Sequence, residues 1–125
     1  MNYINRLKII CAALYDPQKN VEAVVKTFFH PEYVQCINGV TMSRSEYIDH
    51  GVAQRKNIII EHIEYMHHVE KGEELFALYC PKGQTHEGLD IKAEVISYFQ
   101  FQDNLVLKVH GQVRLIKGEF LDVDM

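Results

Sequence analysis

No stretch of the chain approaches the roughly twenty consecutive apolar residues that a membrane-crossing helix requires. Nor does it gather Lys and Arg into a cluster, and its net charge is -4. Phosphate backbones are bound by several cations on one face, so nucleic acid is excluded as a partner. The same acidity argues against an anionic membrane surface. Cysteine is scarce and unpatterned. Cys11, Cys36 and Cys80 are an odd number without C-x-x-C spacing, and read as reduced, mostly buried thiols of a cytoplasmic protein. A Gly-rich phosphate loop, a nucleophile elbow and a paired-carboxylate motif are all missing, so no cofactor is expected. Without repeats, linkers or low-complexity stretches, the 125 residues read as one domain, 1-125.

What is present is ordinary globular material, 47% apolar and 24% charged. The opening MNYINRLKIICAALYDP has two cations ahead of a short apolar run, as a signal peptide has. It lacks a small-x-small cleavage site, and a helix face explains it better. Ile4, Leu7, Cys11 and Leu14 recur at helical spacing until Asp16-Pro17 stops the segment. Asn20 is placed to cap a second helix with Val21, Val24, Val25 and Phe28 as its stripe, ended by His30-Pro31. YVQCING reads as a short strand closed by a turn. Ser43 and Glu46 form a capping-box pattern for a third, more polar helix running to about Lys56.

From Ile58 onward the period changes to two. IIIEHIEYMHHVEK and ELFALYC read as strands joined at Lys71-Gly72, the second apolar on both faces, as if covered on both sides. Pro81, Gly83 and Gly88 are expected in a longer loop. In DIKAEVISYFQF, Ile91, Ala93, Val95, Ser97, Phe99 and Phe101 point one way. Asp103-Asn104 suits a two-residue hairpin. The last strand is expected to turn Leu105, Leu107, Val109, Gly111, Val113 and Leu115 inward and Val106 outward, alongside Ile96 and Tyr98 of the strand before it. Helices first and a meander after give the α+β class: three N-terminal helices packed in a strongly curved antiparallel sheet.

This order, carried by FFHPEYVQCING before a capped helix, by IEHIEYMHHVEKGEELFALY and by YFQFQDNLVLKV, resembles the nuclear-transport-factor-two-like superfamily. That superfamily includes ketosteroid isomerases and SnoaL-like polyketide cyclases. The resemblance spans about Leu7 to Leu115. It implies a cystatin-like cone whose open end holds a hydrophobic small molecule, and a homodimer through the outer sheet face. The isomerase pattern places its carboxylate base at Cys36, its carboxylic acid at Ser97 and its tyrosine at Ile10. None of the three is retained, so that chemistry is disfavoured. Dehydratase-like members carry a histidine early on the first long strand, and His62 stands at that position. A neutral imidazole there would serve acid-base chemistry if Glu64, two residues on, fixed its tautomer.

Around His62 the candidate ligand-binding residues are Tyr79, Ser97, Cys36, Glu64, Tyr47, His50 and Phe99. Each also has a structural reading, as a rim, core or solvated side chain. Seven histidines raise the question of a metal. His62 and His68 would lie about 20 Å apart along an extended strand, too far to share one ion, and no metal site is expected. Two readings stay open. One is a small-molecule-binding domain with lyase, isomerase or hydrolase chemistry on His62. The other is a ligand-binding or dimerisation module without catalysis.

Overall fold

A computed structural model describes residues 2–118. Helices α1 (Tyr3–Leu14) and α2 (Val21–Phe28) are followed by the strands β1 (Phe29–Ile37) and β2 (Val40–Ser43). After α3 (Arg44–Arg55) come the long strands β3 (Ile58–Lys71), β4 (Glu74–Thr85), β5 (Asp90–Gln102) and β6 (Leu105–Lys117). The six strands form one sheet in the order β2-β1-β6-β5-β4-β3. The class is α+β, as expected, with one difference in the sheet. β1 runs parallel to β6, and every other neighbouring pair is antiparallel. The sheet is open, with β2 and β3 at its edges.

Each helix begins where a side chain can accept an orphan amide. Asn20 Oδ1 accepts from Ala23 N at 2.9 Å. At α3 the capping box is complete: Ser43 Oγ accepts from Glu46 N and Glu46 Oε1 accepts from Ser43 N. The stripe of α1 (Ile4, Leu7, Ile10, Cys11 and Leu14) is buried against the concave side of the sheet. Leu75, Ala93, Val95, Phe99 and Phe101 meet it from β4 and β5. Full burial of each larger aliphatic or aromatic residue contributes roughly 1.5–3 kcal/mol. α3, by contrast, has no buried residue. It is pinned by its cap and by half-buried Tyr47 and Ile48.

Several expected boundaries move. β1 begins directly after α2, so His30 and Pro31 lie in a strand. Pro31 falls in the unpaired stretch between the Phe29 and Val34 registers, where its missing amide is tolerated. Pro81 and Gly83 belong to β4, not to a loop. Gly83 is required there, since a Cβ would lie 1.9 Å from the Ile59 carbonyl oxygen. Of the two faces of β4, the inner one is covered, while Phe76 on the outer one is 54% exposed.

Bulges give the sheet its curvature and reset its alternation. Ile60 pairs with Gly83 and His62 with Lys82, which leaves Glu61 as an extra residue. Met66 is extra in the same way between Tyr65 and His67. On β6, Leu107 is extra between Val106 and Lys108. Val106 is therefore buried at 1% exposure, contrary to the outward position that simple alternation gave it.

Candidate functional site

Between α1 and the concave sheet lies a cavity of about 40 Å³. That volume accommodates about three waters at roughly 10–15 Å³ each. Most of its wall is aliphatic and aromatic. Its polar groups are the side chains of Ser97, Gln35, Tyr33, Tyr47, Tyr79 and Cys11.

Ser97 is held here by the unbroken alternation of β5. Its Oγ is buried and has no hydrogen-bond partner among the described residues. Directly across the ladder stands Gly111. A Cβ at that position would fall 1.9 Å from Ser97 Oγ, so the glycine makes room for the hydroxyl. Gln35, 3% exposed, points inward from β1 beside Tyr33. Tyr33 donates its hydroxyl to Gln35 Oε1 at 2.8 Å, and Gln35 Nε2 lies 3.8 Å from Met42 Sδ. Tyr47 closes the cavity from α3. Its ring sits 5.4 Å from Phe29 and 5.6 Å from Tyr33, centroid to centroid.

Burial governs the charge state of every titratable group in this wall. It pushes the Cys11 thiol from its ordinary 9.0 up to about 11, although a hydrogen bond from Tyr65 pulls it partly back. Tyr33, Tyr47 and Tyr79 are all raised, burial first, with nearby tyrosine or cysteine groups adding to the effect. The cavity therefore offers neutral donors and acceptors at physiological pH. No Asp, Glu, His, Lys or Arg among the described residues lines it.

Of the residues singled out by sequence, Tyr79, Ser97, Phe99 and Tyr47 come together in this wall, and Cys36, His50, Glu64 and His62 do not. The bulge at Glu61 turns both His62 and Glu64 outward, where both are exposed. Glu64 pairs with Lys82 at 3.4 Å. His62 borders a separate groove of about 290 Å³ between α1 and the edge strand β3, with Lys8 and Tyr65. Cys36 is half-buried on the opposite side of β1 from Gln35, outside the cavity wall. His50 is half-buried on α3.

Sequence reasoning missed Gln35 and Tyr33. The signal was present in Tyr33-x-Gln35-x-Ile37, an alternation that a strand beginning before Tyr33 makes plain. His62, His67 and His68 form no metal cluster, and no group of three potential ligands occurs among the described residues.

No protein-family model matches the chain, and no curated protein matches it in sequence. Solved structures do resemble it. An LEH-like epoxide hydrolase from M. tuberculosis superposes with a TM-score of 0.72 at 11% identity, over 88% of this chain and 80% of that one. A protein from Catenulispora acidiphila with a ketosteroid isomerase-like fold, in complex with trimethylamine, gives 0.68 at 12% identity, over 85% and 82%. An NTF2-like protein from Cytophaga hutchinsonii gives 0.63 at 12% identity, over 93% and 100%. At such identities the likeness concerns architecture alone, since one fold hosts many chemistries. The chain has the NTF2-like, ketosteroid-isomerase-like fold.

Proposed function

We propose that this protein binds a small, neutral, largely apolar molecule in the cone without acid-base catalysis. The observation that carries the reading is the Ser97 Oγ, without a partner among the described residues, in a wall with no ionised side chain. An unsatisfied buried hydroxyl costs about 1–3 kcal/mol, and a ligand carbonyl or hydroxyl removes that cost. The tyrosines and Cys11 keep their protons and make poor bases near neutral pH. His62 faces away from the cavity, which leaves the wall without the group that a lyase, isomerase or hydrolase reading invoked. Ligands larger than a few atoms enter by displacing Tyr47, because α3 has no buried residue to anchor it.

The test is calorimetric titration with cyclohexanone and with methylcyclohexane, which differ in one acceptor. Ser97→Ala should weaken cyclohexanone binding about two- to tenfold, the worth of one neutral hydrogen bond, and leave methylcyclohexane unchanged. Equal effects on both probes would remove Ser97 from the ligand contact.

A second proposal concerns self-association. Phe76 and Ile96, each 54% exposed, flank Tyr98 on the convex face over a shallow cleft of about 480 Å³. Two copies packed through this face would cover an apolar patch that is otherwise left in water. Sedimentation equilibrium should give a dimer that Phe76→Glu dissociates. A monomer at high concentration contradicts it.

A further inference from the structure

We infer that a second site, outside the cone, takes a monocarboxylate with an apolar tail. It lies in a cleft of about 440 Å³ where the α1–α2 connection, the end of α3 and the start of β3 meet. Three cations, Lys19, Arg55 and Lys56, line it together with His86, and no carboxylate among the described residues does. The chain as a whole carries -4, so this local sign runs against the global one.

Arg55 is the anchor. Its Nη1 donates to the Asp16 carbonyl at 2.9 Å, which fixes the guanidinium at the wall. Its Nη2 is sealed from solvent and has no hydrogen-bond partner among the described residues. The nearby carboxylate of Asp16 acts on the guanidinium through space, while its Oδ1 accepts the Gln18 amide. A buried donor without a partner on a cation is a costly arrangement, and a carboxylate in the cleft that draws the guanidinium toward it removes the cost by a charge-assisted bond. α2 starts at the same cleft, through Asn20 and Val21, and turns its positive end toward it.

The remaining wall selects the rest of the ligand. Pro17, Val21, Val52 and Ile59 offer apolar surface, and Val52 and Ile59 are 40% and 39% exposed. A hydrated inorganic anion leaves that surface wet, whereas an alkyl or aryl tail covers it.

The probe is sodium octanoate, with octanamide as the neutral partner of equal length, titrated into the full chain by calorimetry and amide-resolved NMR. Octanoate should bind at least tenfold tighter than octanamide, lose affinity as salt is raised, and shift amides in residues 17–21 and 52–60. Arg55→Gln should weaken octanoate by about tenfold or more and leave octanamide unchanged, as a charge-assisted bond requires. Because Arg55 also bonds the chain at Asp16, Lys56→Gln is the second variant. It removes an exposed charge and should weaken octanoate about two- to fivefold. Equal affinity for acid and amide overturns the site. So does octanoate binding that neither variant alters, or shifts centred on Ser97 and Gln35.

Discussion

Ser97→Ala should make the protein more stable, although it removes a polar group from the heart of the fold. Ser97 is 2% exposed and its Oγ has no partner among the described residues, so folding removes the hydroxyl from bulk water without putting a protein group in its place. That loss is on the order of 1–3 kcal/mol. The substitution also enlarges the cavity by one hydroxyl, roughly 10 Å³, which at about 24 cal/mol per Å³ costs ~0.2 kcal/mol. The net expectation is a gain of about 1 kcal/mol, or about 4 °C in Tm for a domain of this size. Urea denaturation, with the midpoint and slope both recorded, measures it. A loss of more than about 0.5 kcal/mol would mean that Oγ has a structural partner, and the argument for an unfilled ligand contact would collapse.

Other predictions follow from the same geometry. Gly111→Ala should destabilise by about 2 kcal/mol or more, because the new Cβ meets Ser97 Oγ at 1.9 Å and the Ile96 carbonyl oxygen at 2.7 Å. Adding Ser97→Ala should recover only part of this, since the Ile96 contact is backbone; full recovery in denaturant titration would contradict the geometry. His62→Ala, at an exposed position, should leave stability within about 0.5 kcal/mol and leave binding in the cone unchanged. Stability should also fall in alkali. The folded Cys11 thiol titrates near 11 against an ordinary 9.0, so its contribution is complete below 9 and is lost as pH rises from 9 to about 11. The raised tyrosines extend the loss above 10, their ordinary value. Urea midpoints that stay level between pH 8.5 and 10.5 would contradict these burials.

The parts of the fold that were legible in sequence are those where local chemistry decides. The Ser43 and Glu46 box, the Asn20 cap and the Asp103-Asn104 hairpin each need only residues a few positions apart. Asp103 and Asn104 adopt φ of 53° and 65°, as that turn demands. β5 was legible for another reason: from Ile91 to Phe101 its inward alternation is unbroken, so Ser97 and Phe99 fall where a period of two puts them. β3 was not. The bulges at Glu61 and Met66 depend on how β4 approaches, and Gly83 allows that approach from twenty residues away. One extra residue is enough to carry His62 and Glu64 out of the cavity wall. The parallel pairing of β1 with β6 leaves no mark on either strand's pattern. Cavity size was also hidden, because it depends on where Tyr47 sits.

The central claim is that the cone is a neutral binding chamber closed by Tyr47. Methyl-resolved NMR with cyclohexanone tests it most directly, comparing the wild-type protein with Tyr47→Ala. The chamber predicts shifts confined to the methyls of its wall, those of α1, Ile37, Val95, Val106 and Val109, with tighter binding once Tyr47 is cut back. Shifts confined to the groove beside His62, or the absence of binding in both proteins, would contradict it.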